Sequence, residues 1–194
     1  MFWINKVNKD NMILPYHYHY NEIMIKDDLL SSHIGMLLRD HGLMLASAES
    51  CSGGLLGHML TEIAGASDYF LGGVVAYSNL AKFAWLSVQQ ATINQYGAVS
   101  RETVLEMALG VRKALRGHYP EEDIIGISIS GVAGPGGGTA TKPVGTVWIG
   151  LSAYQSNFSW LHHFEGNRSE IKQHSALHAL KHLREFLLQL NTDT

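Results

Sequence analysis

Apolar positions recur along this chain at two alternating periods, and the switches between them mark out the elements. Leu30, Ile34, Leu37 and Leu38 keep helical spacing from Asp27 on, and His41-Gly42 supplies a C-terminal stop. Leu43-Met44-Leu45-Ala46 then reads as a strand and Gly53-Gly54 opens a helical pattern, which places Ser50 at a strand-to-helix turn. Gly73-Val74-Val75-Ala76-Tyr77 reads as a second strand, followed by Ser78 as N-cap of a helix that carries Lys82 about one turn in. A helix begins at Ser100, with Val104, Ala108, Val111 and Leu115 on one packing face. Ile125, Ile127 and Ile129 mark a strand that ends in the loop Ser130-Gly131-Val132-Ala133-Gly134-Pro135-Gly136-Gly137-Gly138, and Val144 to Leu151 starts the next. The last helix is predicted from Ser169 to about Leu190, burying Ile171, Leu180, Leu183 and Leu187. This alternation predicts an α/β fold: a single-domain layered α/β/α sandwich with a mostly parallel or mixed central sheet.

Residues 1–26 read differently, mixing Asn and Lys with Tyr16-His17-Tyr18-His19-Tyr20 behind Pro15. Their period-two alternation suits an edge strand, but no hairpin signal follows, so they are expected to be a poorly ordered appendage to a domain over 27–194, with Met12 and Met24 as alternative starts. The 194 residues, 46% of them hydrophobic, suffice for one well-buried core. A net charge of −3 and the lack of any Lys/Arg cluster argue against a nucleic-acid partner. Cys51 is the only cysteine, which excludes an intramolecular disulfide and a multi-thiolate zinc site and fits a reducing cytosol. No stretch is long and apolar enough to span a bilayer and no signal-peptide core is present, so a cytoplasmic protein without membrane association is expected.

The chemistry is concentrated in Ser47-Ala48-Glu49-Ser50-Cys51-Ser52-Gly53-Gly54 and Tyr77-Ser78-Asn79-Leu80-Ala81-Lys82. A hydroxyl nucleophile with an amine to deprotonate it suggests amide hydrolysis, and the amides of the turn through Ser52, Gly53 and Gly54 lie at a helix's positive end, where an oxyanion is stabilised. An amine of ordinary pKa is neutral in only about one molecule in 2,500 at pH 7, so Lys82 serves as a base only where its site favours the neutral form. Tyr77 could orient the lysine or relay a proton. The plain alternative has Ser50 as a helix cap, Lys82 solvated and Tyr77 in the core. Cys51 is the rival nucleophile, with a pKa lowered by the helix dipole, set against a small buried thiol. Glu49 is a second base or, preferably, a capping anion for helix amides. The Gly131–Gly138 loop lets amides approach an anion but lacks the Gly-Lys-Ser/Thr of a triphosphate loop, so it is either an anion cradle or a mobile connection. Arg168 is a candidate phosphate grip or a surface ion pair. His174, His178 and His182 share one helical face, but no ligand is spaced to join them, and they read as a solvated face with no metal.

Taken together and in this order, these motifs resemble the C-terminal domain of the competence-damage-inducible protein CinA, the family of nicotinamide mononucleotide (NMN) deamidases. The likeness runs from about Leu29 to Leu190 and includes Gly97-Ala98-Val99-Ser100, Lys142-Pro143-Val144-Gly145-Thr146-Val147 and Phe164-Glu165-Gly166-Asn167-Arg168 beside the segments above. It implies hydrolysis of NMN to nicotinate mononucleotide and ammonia, in pyridine-nucleotide salvage, without metal or cofactor. Carried across, Ser50 is the nucleophile, Lys82 the general base and Tyr77 their partner. Ser130 and Arg168 hold the substrate, with Ser52, Gly53, Gly54, Gly131 and Gly134 as further candidate substrate-binding positions. A homo-oligomer, in the simplest case a dimer, is expected, with exposed helices such as Ser100 to Leu115 as possible pairing surfaces. Two readings stand beside this one: a non-catalytic nucleotide-binding or competence-associated interaction module, and a Cys51-dependent amidase. The chain departs from the family pattern at Ser130, which is Thr in many relatives, so weaker positioning is expected there. Many relatives also carry a molybdopterin-binding-like domain ahead of this one, and the chain is expected to act as a stand-alone domain. The substrate fits the chemistry: a pyridinium near Lys82 disfavours the lysine's protonated form, whereas the phosphate belongs away from it, at the Gly131–Gly138 loop or Arg168.

Overall fold

The structure is a computed structural model and describes residues 29–190, so the expectations for residues 1–26 lie outside the described residues. Helix α1 (29–40) leads into β1 (Met44–Glu49), α2 (Leu55–Thr61) and β2 (Phe70–Val75). Three helices follow, α3 (Asn79–Leu86), α4 (Gln90–Tyr96) and α5 (Arg101–Ala114), before β3 (Ile124–Gly131), β4 (Thr146–Ala153), β5 (Ser156–His163) and α6 (Arg168–Leu190). The strands form one sheet in the order β2-β1-β3-β4-β5, with β1 parallel to both β2 and β3 and the β3–β4–β5 ladder antiparallel. This is the expected α/β/α sandwich, with the sheet mixed.

Strand alternation divides the buried side chains between the two faces. Leu45, Ile125, Ile127, Ile129, Val147, Ile149 and Leu151 pack with α1, α2 and α6 into a large aliphatic cluster. The opposite face carries small residues. Ala46 and Ala48 meet α3, α4 and α5 through Ala81, Leu86, Ile93, Met107 and Val111. Glycine is required on that side, because a Cβ at Gly126 would lie 2.0 Å from the Ala108 carbonyl oxygen and one at Gly150 would lie 2.6 Å from that of Val104. Ser128 donates its hydroxyl to the same Val104 oxygen at 2.6 Å, so α5 is both seated closely and pinned. α5 therefore spends one face on the sheet.

Caps fall where their residue types predict: Ser78 Oγ accepts from the Ala81 amide at 3.1 Å and Ser100 Oγ from the Thr103 amide at 3.2 Å. Asn167 and Glu170 make a reciprocal cap on α6, with Asn167 Oδ1 accepting from Ser169 N at 2.9 Å and Glu170 Oε2 from Asn167 N at 2.7 Å. Two elements were not expected from the sequence, α4 and β5. β2 also begins three residues earlier than its apolar run, at Phe70. Among the described residues no helix is long and apolar enough to cross a membrane.

Candidate active site

β1 delivers Ser50 to the carboxyl end of the sheet, where its amide donates to the Ile129 carbonyl of β3 at 2.9 Å. The chain turns at once through Gly53 (φ 66°) and Gly54 (φ 95°), left-handed backbone that glycine adopts without a Cβ penalty. Glu49 holds the turn from beneath. Its Oε2 accepts from the amides of Gly54 (3.0 Å) and Leu56 (3.1 Å) and its Oε1 from that of Gly57 (2.8 Å), the capping-anion role favoured for it. This narrows the expectation that the turn's amides face an oxyanion: Gly54 N, with those of Leu56 and Gly57, is bonded to Glu49, and Gly53 N donates to the Ser50 carbonyl at 3.1 Å. Ser52, Gly53 and Gly54 do not line the cleft, and Ser52 is fully buried with no hydrogen-bond partner for its hydroxyl among the described residues.

Lys82 comes from α3 and is 1% exposed, the reverse of a solvated lysine. Its Nζ lies 3.0 Å from Ser50 Oγ and 2.9 Å from the Ala76 carbonyl oxygen. Burial holds the amine below its ordinary pKa, and among the described residues no carboxylate forms an ion pair with it to oppose that shift. Tyr77, next to Ala76, is 58% exposed and its hydroxyl accepts from Arg168 Nη2, so it partners the arginine instead of Lys82 and is not a core residue. Arg168 Nη1 also donates to the Gly134 carbonyl at 2.6 Å, tying the start of α6 to the glycine loop.

These groups meet in an open cleft of about 320 Å³, lined by Ser50, Lys82, Tyr77, Ala98, Val99, Ser130, Gly131, Gly134 and Arg168 among others. A second concavity of about 580 Å³ adjoins it through Ala133 and Arg168 and adds Asn167, Ser169 and Lys172. Ser130 is buried at the cleft wall and its hydroxyl donates to the Ala98 carbonyl at 2.7 Å, which fixes the rotamer that the missing methyl leaves free. The backbone carbonyls of Ala76 and Ala98 are parts of the site that side-chain chemistry could not announce. The only signal was the Gly97–Ser100 segment of the family likeness.

Cys51 takes the small buried thiol reading and not that of the rival nucleophile. Its side chain joins the aliphatic cluster on the α6 side, beside the Ser175 hydroxyl, and burial pushes the thiol up to about 11 although a helix begins just beyond it. The histidine stripe departs from expectation in part: His178 and His182 are half-buried against the aromatic and histidine side chains of β5 and the segment after it, whereas His174 stays exposed beside Phe164.

A mixed α/β/α sandwich with a hydroxyl–amine pair where two parallel strands end, at the position where ligands of open α/β sheets bind, defines the class of domain. The chain belongs to the CinA C-terminal domain family, whose sequence model matches residues 27–187. It is 48% identical over 165 residues to a CinA-like protein of Microcystis aeruginosa, covering 84% of this chain and 38% of that one. A CinA-like protein of Thermotoga neapolitana is 44% identical over 164 residues, again covering 84% of this chain and 38% of the relative. The chain thus spans well under half the length of these curated relatives. Among solved structures it is similar to the competence/damage inducible protein CihA of Agrobacterium tumefaciens (TM-score 0.75, 37% identity, covering 85% of this chain and 95% of that one). The CinA superfamily protein KP700603 of Klebsiella pneumoniae matches with a TM-score of 0.78 and 32% identity, covering 84% and 98%.

Proposed function

We propose that this chain is an amidase that hydrolyses NMN to nicotinate mononucleotide and ammonia through a Ser50 acyl-enzyme. The observation that carries the reading is the 3.0 Å contact between Ser50 Oγ and a buried Lys82 amine that has no carboxylate ion pair among the described residues. Neutral Lys82 keeps a lone pair for the Ser50 hydroxyl proton while one of its N–H groups stays on the Ala76 carbonyl. Oγ attacks the carboxamide carbon as the proton passes to Nζ. The same proton goes to the departing nitrogen, and ammonia leaves. Water then attacks the acyl ester, giving its proton to Lys82, which returns one to Oγ as the carboxylate product is released. No metal is called for in this sequence, since the amine does the work of an activated-water ligand.

Substrate choice rests on the family resemblance and on the cleft's charge layout. A pyridinium near Lys82 reinforces the neutral amine. The phosphate then lies toward Arg168 and Lys172, in the concavity that adjoins the cleft. Burial and a raised pKa disfavour Cys51 as the nucleophile. The test is ammonia release from NMN by the purified chain, with nicotinamide and glutamine as controls. Release from NMN alone is expected. No release from any of the three sinks the amidase reading in favour of a non-catalytic module.

A further inference from the structure

β5, at the far edge of the sheet from β2, carries His162 under the helical face that presents His178 and His182. One ring nitrogen from each of the three lies within 4.8 Å of the other two, and the Nε2 atoms of His162 and His182 are 2.9 Å apart. Two imidazole ligands of a tetrahedral zinc ion, each at about 2.05 Å, stand about 3.3 Å from one another, so the cluster needs only small side-chain rotations to close on one ion. The rings are already oriented. Trp160 stacks on His182 at 4.2 Å between centroids, Phe164 stacks on His162 at 5.1 Å, and His178 meets His162 edge-on at 4.9 Å.

Glu185, one turn beyond His182, reaches His182 Nδ1 at 3.3 Å. A carboxylate on that nitrogen fixes the tautomer with Nδ1–H and leaves Nε2 as a lone pair aimed at the cluster, the outer support that metal-binding histidines usually have. The contact between the two rings is then donated by His162 Nε2–H. When a cation takes its place, that proton moves to Nδ1 of the same ring, so no net charge change is required. Burial holds all three imidazoles below their ordinary pKa, His162 down to about 4, and neutral imidazole is the ligating form.

We propose that His162, His178 and His182 form a three-imidazole site for a borderline divalent cation of the zinc class, with Glu185 as its outer-sphere support and water in the open position. All-imidazole ligation suits Zn²⁺, Co²⁺, Ni²⁺ or Cu²⁺ and disfavours Mg²⁺ and Ca²⁺, which take oxygen ligands. The site lies about 15 to 21 Å along α6 from Arg168, which separates it from the Ser50 cleft. It is an addition to the amidase reading and independent of it. Such a site would staple the edge strand β5 to α6.

The experiment titrates the full chain, first freed of metal by a chelator, with Zn²⁺ by calorimetry and with Co²⁺ by visible absorption. One cation per chain and a ligand-field band are expected, with Mg²⁺ giving neither. His178→Asn/His182→Asn should weaken Zn²⁺ binding by at least about 100-fold, and Glu185→Gln by about 10- to 100-fold, in proteins whose circular dichroism matches the parent. Glu185 is a solvent-facing support, so its variant still decides the matter if the double variant does not fold. His174→Asn, on the same helical face but outside the cluster, should bind as the parent does. Absence of stoichiometric binding overturns the proposal. So does binding that survives the double variant and is lost in His17→Asn/His19→Asn.

Discussion

Ser50 and Cys51 are adjacent potential nucleophiles on the same turn, yet the two sides of the sheet give them opposite chemistry. Ser50 faces the small-residue side, where α3 brings a buried amine to 3.0 Å. Cys51 turns into the aliphatic cluster under α6, where its thiol is pushed up to about 11. A single physical cause acts on both sites, since burial favours whichever form is uncharged. Uncharged lysine is the active form of a base, whereas uncharged cysteine is the inactive form of a nucleophile. Intrinsic reactivity favours sulfur, and under the proposed function placement reverses the order.

The contrast breaks most visibly at Ser50. Ser50→Ala should lower kcat/KM for NMN by about 10³-fold or more while thermal unfolding barely moves, because Gly53, Gly54 and Glu49 make the turn without the hydroxyl. An inactive Cys51→Ala beside an active Ser50→Ala would invert the comparison and hand the chemistry to the thiol. Next in size is Lys82. Lys82→Arg should be nearly as damaging as Lys82→Ala, since a guanidinium stays protonated and cannot take the serine proton. An arginine variant close to the parent in kcat/KM makes Lys82 a fixed cation instead.

The pH profile sharpens the same point. Lys82 is active when neutral, so kcat/KM should rise with pH through a midpoint below 10.5, the ordinary lysine value. Between that midpoint and 10.5 the unfolded chain holds a proton that the folded chain does not, so Lys82's contribution makes stability increase with pH across that window. A midpoint at or above 10.5 would remove burial from the account.

Arg168→Ala probes the wall between the cleft and its neighbouring concavity. Loss of a charge-assisted contact of about 1.5–3 kcal/mol corresponds to roughly a 10- to 150-fold lower kcat/KM for NMN. Nicotinamide riboside, with the same amide and pyridinium but no phosphate, should lose only the share that comes from loosening Gly134 and Tyr77. Equal losses on both substrates assign Arg168 to positioning alone. The smallest effect is expected from Cys51→Ala, which should retain most of the activity and cost about 1 kcal/mol in unfolding for the buried atoms removed.

The serine–lysine pair was legible because each member sits beside a strong local signal: paired glycines after Ser50, and a serine cap ahead of Lys82. β3 and α6 were legible from long aliphatic periodicities. β5 was not. Its inward positions include Trp160 and His162 where an aliphatic strand would be recognisable, and the hairpin into it turns at Tyr154-Gln155. Gln155 takes a positive φ of 60° there without the Asn or Gly that usually announces such a turn. That omission carried over to α6, because a histidine stripe whose partner strand is unseen looks like a face for water. α4 escaped notice for a simpler reason: it buries only Ile93, too little for a periodicity. The occupied amides at the Ser50 turn were half legible, as Glu49 could be assigned to them while the consequence for the oxyanion could not.

That carboxylate has a directional effect on any doubly charged nucleotide that enters. The positive pole of α2, which elsewhere would draw a phosphate to the nucleophile, is neutralised from within by Glu49. On the proposed reading an incoming phosphate finds its positive charge in side chains instead: Arg168, held by the Gly134 carbonyl and Tyr77, and Lys172, whose ammonium stands beside Gly53. Under the proposed function the dianionic end is thus gripped by side chains and not by the start of α2, which leaves the ring end to approach Ser50.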